Sequence, residues 1–216
     1  MSLLKQIDLF ADLGDDEFKV LEKHAVPRSF AKNTIVVSEG DPTDSLYVIV
    51  SGRVKVYCSD ESGKQVTLND LKPGDYFGEI ALFDDSERSA SVMTTEPCRF
   101  LVISKVAFKD ALRSHPDIAI SLIKHLTRRV RDLTQNVKSL ALMDVYGRIA
   151  NTLIQLSTTE GTRTITEIPL TQQEIANRVG ASREMVAKIL KDLETGGYIK
   201  IEKRKIVINQ ALPARY

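Results

Sequence analysis

The sequence predicts an α+β protein of two domains, an antiparallel β-roll or jelly roll followed by a smaller helical unit, joined by one long helix. Three observations carry this. From Thr34 to Ile103, short β-rich runs alternate with turn clusters, and Gly40, Gly52, Gly63 and Gly74 recur every eleven or twelve residues, the spacing of a compact antiparallel fold. After Pro116 the apolar period changes to three and four residues, as in a helix. Near the C-terminus, LTQQEIANRVGASREMVAKILKDLE reads as two short capped helices around a glycine turn. A chain of 216 residues can bury a core in each of two domains.

The elements follow in order. LLKQIDLFADLGDDEFKVLEKHAV (3–26) has helical spacing, with Asp15, Asp16 and Glu17 suited to a helix N-terminus. TIVVSEGD, SLYVIVSGRVKVYCSDESGK, QVTLNDLKPGD and SASVMTTEPCRFLVIS read as strands and turns. From Pro116 to about Met143, Ala119, Leu122, Leu126, Val130, Leu133, Val137 and Leu140 advance by 3, 4, 4, 3, 4 and 3. That is a coiled-coil seam, and on so polar a helix it predicts a homodimer; its alternative is packing against the protein's own barrel. DVYGRIANTLIQLS is a helix and TTEGTRTITEIP is turn-rich. Thr171 and Glu174 have capping-box spacing, Gly180 ends the first helix of the pair, and Ser182 caps the second. GYIKIEKRKIVINQ alternates apolar and charged residues about Lys203, Arg204 and Lys205, which reads as a hairpin wing. The division expected is 1–115 for the β-roll, 116–143 for the dimerisation helix and hinge, and 144–216 for the winged helix-turn-helix.

Composition excludes several classes. Apolar residues make up 43% and charged residues 27%, a globular balance without a membrane-length apolar run. A soluble, cytoplasmic protein with no membrane partner is expected. Cys58 and Cys98, forty residues apart, cannot supply a closed zinc or iron-sulfur site, and no metal is expected. From Met143 onward there are eleven Lys/Arg against eight Asp/Glu, leaving nineteen against twenty-one before it. The C-terminal part is mildly basic, as an anionic partner would favour.

The chemistry concentrates in FGEIALFDDSERSA (77–90). A short helix starting after Gly78 would aim free N–H groups outward, Gly78 would admit a phosphate close to the backbone, Arg88 would grip its oxygens and Ser89 would add a donor. Glu79 would accept from a sugar hydroxyl. The plainer alternative is an ion pair between Glu79 and Arg88 across the turn. An enzymatic use of the pair is disfavoured, because no second carboxylate at metal-ligand spacing, Walker loop or nucleophile-base motif accompanies it.

This segment resembles the phosphate-binding cassette of cyclic-nucleotide-binding domains. EGD at Glu39–Asp41, SGRVKVY at Ser51–Tyr57 and LKPGDYFGE at Leu71–Glu79 are similar to that family as well. With the helix-turn-helix segment, nearly the whole chain resembles the CRP/FNR family of bacterial transcription regulators, closest to the cyclic-AMP receptor subgroup. The resemblance implies a cyclic nucleotide effector held by Gly78, Glu79, Ile80, Ala81, Arg88 and Ser89, and by Leu133 and Thr134 at the positions that contact adenine from the two subunits. Thr134 keeps a hydroxyl, whereas Leu133 cannot hydrogen-bond a base. Cyclic AMP is favoured, while cyclic GMP, another cyclic nucleotide, another signal or constitutive DNA binding stay open. Three histidines, His24, His115 and His125, leave a haem branch open. For DNA, the resemblance assigns base reading to Arg183, Glu184 and Lys188; Thr171, Gln172, Ser182, Lys203 and Arg204 are suited to phosphates. It implies a double-stranded TGTGA-like palindrome and, for an activator, RNA polymerase as a partner.

Overall fold

The computed structural model describes residues 24–42, 44–84, 86–160 and 163–213. The chain divides into two compact units, Met1–Arg131 and Asp132–Tyr216. The helix expected over 3–26 lies almost entirely outside the described residues.

In the first unit the strands are β1 (Ala25–Phe30), β2 (Ile35–Val37), β3 (Ser45–Ser51), β4 (Val54–Ser59), β5 (Gln65–Leu71) and β6 (Tyr76–Phe77). A short helix α1 (Ile80–Asp84) precedes β7 (Ser91–Thr94) and β8 (Cys98–Ser104). They form two antiparallel four-stranded sheets, ordered β1-β8-β3-β6 and β2-β7-β4-β5. The four glycines of the expected turn series all have positive φ, from 81° to 96°, conformations that cost an L side chain more than glycine. Val37, Ile49, Val54, Phe77, Val92 and Phe100 fill one core. Leu46, Tyr76, Leu82, Ile103 and Phe108 fill a second, which extends onto the helices after β8.

Ala25 and Val26 are strand rather than the end of a helix. They pair with Ile103 and Val102 of β8, so cross-strand pairing overrides local helical spacing.

Helix α2 (Lys105–Ser114) is capped by Ser104, whose side chain accepts from Ala107 N, and α3 runs from Pro116 to Leu142. Its length is that expected, but its stripe is shared between two jobs. Leu122, expected on the dimer seam, is 3% exposed and packs with Ile118 in the β-roll core; burying such a side chain is worth roughly 1.5–3 kcal/mol. Leu126 packs partly on the same core. The next residue, Ile123, faces out at 61%, as do Val130, Leu133, Val137 and Leu140. Ile123, Val130 and Val137 therefore alternate with half-buried Leu126 and exposed Leu133 and Leu140, a heptad with β-branched residues at a and leucine at d.

The second unit contains α4 (Val145–Gln155), β9 (Ser157–Glu160), β10 (Arg163–Thr166), α5 (Gln172–Val179), α6 (Arg183–Thr195), β11 (Ile199–Glu202) and β12 (Lys205–Ile208). Its sheet is ordered β11-β12-β10-β9. The segment expected as turns, 158–169, instead supplies most of the β9–β10 hairpin, with Ile165 opposite Thr158 and Val207. Its threonines and isoleucines suit a pleated surface. Ile149, Leu153, Ile175, Val186, Ile189 and Leu193 pack in one core with Ile206.

Candidate functional site

The loop after β6 and the turn before β7 meet around Arg88. Its backbone N–H donates to Asp41 O at 2.9 Å, and its carbonyl accepts from Gly40 N at 2.9 Å. The EGD sequence thus clamps the arginine's main chain, with Gly40 at φ 83°. The Arg88 side chain is 6% exposed. Its Nη1 donates to Gly78 O at 3.0 Å and its Nη2 to Ser45 O at 2.9 Å. Two of the five donors of a guanidinium are used this way. The guanidinium lies 5.8 Å from the Tyr47 ring centroid, and Tyr47 stacks on Phe77 at 4.9 Å. Burial pulls Arg88 below its ordinary pKa, opposed by Tyr47, Asp44, Glu79 and Asp41. Gly78 sits at φ 88°, and a Cβ there would collide with the Arg88 guanidinium and come within 3.0 Å of Ser45 O. Close approach, not only turn geometry, requires glycine.

Glu79 is 1% exposed, and its partner is not Arg88. Arg129 of α3 donates from Nη1 to Glu79 Oε1 and from Nη2 to Tyr76 O, the latter at 2.5 Å. The guanidinium also lies 5.0 Å from the Tyr76 ring centroid. The ion pair across the turn is thereby replaced by one to a helix fifty residues away. Sequence reading missed Arg129; its one clue was a position three residues after Leu126. Burial, followed by the Glu79 charge, pushes the Tyr76 phenol above its usual range. Ser89 is exposed beside Arg88 and Ile80 is 49% exposed, while the Ala81 side chain lies outside the described residues. Leu133 and Thr134 fall in the other compact unit and are exposed. Among the described residues no group of three His, Cys, Asp or Glu is placed to hold a metal, and no helix is long and apolar enough to cross a membrane.

In the second unit, Thr171 and Glu174 form the reciprocal capping box: Glu174 N donates to Thr171 Oγ1 at 3.1 Å and Thr171 N to Glu174 Oε2 at 2.6 Å. Gly180 closes α5 at φ 64°. Met185 N donates to Ser182 Oγ at 3.2 Å, which starts α6. Val186, Ile189, Leu190 and Leu193 turn inward, leaving Arg183, Glu184 and Lys188 exposed on the face and end where a recognition helix meets base edges. The wing tip is Lys203–Arg204, with φ 49° and 69°, and Arg204 O accepts from Leu170 N at 2.7 Å. Arg183, Thr171, Gln172 and Arg204 line one cavity of about 470 Å³. Arg183, Thr171, Gln172 and the wing tip are therefore neighbours.

Comparison with known proteins separates the same two regions. Residues 27–115 match the cyclic nucleotide-binding domain family, and residues 147–211 match the Crp-like helix-turn-helix domain family. The chain is 34% identical to the CRP-like cAMP-activated global transcriptional regulator of Mycobacterium tuberculosis, covering 97% of this chain and 95% of that protein. It is 36% identical to the cAMP-activated global transcriptional regulator CRP of Escherichia coli, covering 86% and 90%. Among solved structures it is similar to the c-di-GMP responsive global regulator CLP of Xanthomonas campestris, at 26% identity and TM-score 0.82, covering 91% of this chain and all of that one. With both domains matched in this order and relatives aligned along nearly their whole length, the chain belongs to the CRP/FNR family of transcription regulators, non-enzymatic proteins that carry a cyclic nucleotide-binding domain and a DNA-binding helix-turn-helix.

Proposed function

We propose that the protein is a homodimeric, cytoplasmic transcription regulator whose affinity for a palindromic operator is controlled by cyclic AMP bound at the cassette. The observation that carries this reading is Arg88: a buried guanidinium, braced by two carbonyls, with donors left over beside Gly78 and exposed Ser89. A cyclic phosphate takes those donors, and the ribose hydroxyl donates to the second oxygen of Glu79, whose first is held by Arg129. In functional terms the chain divides into a β-roll (1–115), a dimerisation helix and hinge (116–143) and a winged helix-turn-helix (144–216).

The exposed a/d series of α3 supports the dimer. β-branched a positions with leucine at d favour two parallel strands, and a partner helix removes an apolar stripe from water. Each half-site is read by Arg183 gripping guanine, Glu184 accepting from cytosine N4 and Lys188 reaching guanine or thymine acceptors. Thr171, Gln172, Ser182, Lys203 and Arg204 contact phosphates. In the cyclic-AMP receptor subgroup that this chain resembles, the position of Lys188 carries arginine; lysine lacks the fork, so the half-site is TGTGA-like with weaker discrimination at one base. Two recognition helices on a symmetric dimer sit about 34 Å apart, one turn of DNA. Effector binding favours the DNA-competent state because it binds that state more tightly. RNA polymerase is the further partner if the protein activates.

A second reading, a family member that answers another signal or binds constitutively, is favoured by Leu133, which offers no hydrogen bond to a base, and by the c-di-GMP responsiveness of the Xanthomonas relative. Fluorescence anisotropy of a labelled TGTGA palindrome, at fixed salt, with no effector, cyclic AMP or cyclic GMP, separates the two. Tightening by cyclic AMP alone supports the first. Equal, specific binding in all three supports the second.

A further inference from the structure

We infer that Tyr76 is a positioning residue for the effector's sugar: its ring and its carbonyl hold Arg129, and Arg129 sets the Glu79 carboxylate that meets the ribose. The inference rests on the cyclic nucleotide reading proposed above and names a further residue of that same site. Tyr76 lies in β6, opposite Val48 of β3, and is 1% exposed. Its hydroxyl is buried and meets no hydrogen-bond partner among the described residues. A buried phenol usually finds one. What Tyr76 offers its surroundings is therefore the ring and the backbone, not the polar tip.

Both face α3. The ring packs in one core with Leu122 and meets the His125 ring edge to face at 5.8 Å. It also lies 5.0 Å from the Arg129 guanidinium, within reach of a cation–π attraction. Those three residues step along α3 by three and four, so they share one side of the helix. The Tyr76 carbonyl accepts from Arg129 Nη2 at 2.5 Å, while Nη1 donates to Glu79 Oε1. Ring, carbonyl and carboxylate thus hold one guanidinium together.

This matters because Glu79 is 1% exposed. A buried carboxylate needs a well-placed partner to stay ionised. Its partner's side chain is 26% exposed, and a long side chain reaching water has many rotamers to lose. Only one Glu79 oxygen enters the ion pair, so the direction of the Arg129 fork decides where the other oxygen points. The ring face beneath the guanidinium and the carbonyl beside it restrict that direction. An aliphatic residue at position 76 would fill the core and keep the carbonyl, but would lose the π face.

The test measures, by calorimetry on the full-length protein, affinity for cyclic AMP and for its 2′-deoxy form, beside thermal unfolding. Wild type is compared with Tyr76→Phe, Tyr76→Leu, Arg129→Lys and the Tyr76→Leu/Arg129→Lys pair. The ratio of the two affinities isolates the sugar hydroxyl. Tyr76→Phe keeps the ring and should keep the ratio within about twofold, whereas Tyr76→Leu should shrink it by about fivefold. Arg129→Lys lacks the fork and should shrink it by about tenfold. The pair should lose no more than Arg129→Lys alone, because Tyr76 acts through Arg129. If Tyr76→Leu does not fold, a ring-fluorinated phenylalanine at position 76 keeps the shape, weakens the π face and carries the same expectation. A purely structural Tyr76 predicts a lower melting temperature with both nucleotides weakened equally and the ratio intact, or losses that add in the pair; either result overturns the inference. A wild type that binds both nucleotides equally overturns the proposed role of Glu79, and this inference with it.

Discussion

The cassette and the helix-turn-helix place their charges in opposite ways. Arg88 and Glu79 are buried, at 6% and 1% exposure, each already braced by protein groups. Arg183, Glu184, Lys188, Lys203 and Arg204 stand exposed on helix and wing. Under the proposed function, the difference follows from the ligands. A small anion can be enclosed, so fixed donors in a low-dielectric site act strongly on it and need no rearrangement. A duplex cannot be enclosed; its readers must project, and their bonds compete with water and salt. The first site is therefore part of the fold, and the second is mounted on it.

Substitutions can break or sharpen that contrast. Arg88→Ala has the largest expected effect, because it removes the phosphate grip and leaves Gly78 O and Ser45 O without their donor. Calorimetry should show cyclic nucleotide binding weakened more than about 100-fold, and denaturant titration a stability loss of about 1–3 kcal/mol. Arg183→Ala should cost about 1–3 kcal/mol of operator affinity and relax selection at one base pair, with the unfolding midpoint unmoved. A stability loss as large as that of Arg88→Ala would erase the contrast.

The wing tip tests it differently. Two successive left-handed residues with side chains are unfavourable, by roughly 1 kcal/mol each, where a two-residue hairpin turn prefers Asn-Gly. Replacing Lys203→Asn together with Arg204→Gly should raise the melting temperature. It should also weaken operator binding several-fold and flatten the slope of log affinity against log salt by about 2. A stabilised protein with unchanged salt dependence would mean that the tip touches no phosphate.

The smallest effect lies in the cassette's floor. The Tyr76 phenol titrates above the ordinary value of 10.0, mainly because it is buried. The neutral form is favoured on folding, so this contribution is complete below about pH 10 and is lost as pH rises through the folded-state value. Unfolding measured above pH 10 should show a shallower loss for Tyr76→Phe than for wild type.

How much of this was legible in the sequence depended on distance along the chain. Gly78, Glu79, Arg88 and Ser89 lie within twelve residues and Thr171 to Lys188 within eighteen, so each set forms one local segment that the family resemblance could single out. Arg129 and Ser45 reach the cassette from fifty and forty-three residues away, and no periodicity links them to it. The seam of α3 was legible in its period, and the structure departs from it at its first position: Leu122 and Ile123 are both apolar, and it is Leu122 that turns into the β-roll core. The β9–β10 hairpin was hidden because its threonines and Gly161 also suit a loop, and its pairing with β12 comes from forty residues further on.

The central claim is that the enclosed site and the projecting one are linked. The most direct measurement is cyclic AMP affinity by calorimetry, with and without saturating operator, beside operator affinity with and without cyclic AMP at the same salt. Reciprocity requires the same factor in both directions, and the account predicts a tightening of about fivefold or more in each. Cyclic AMP affinity that is identical with and without operator would contradict it.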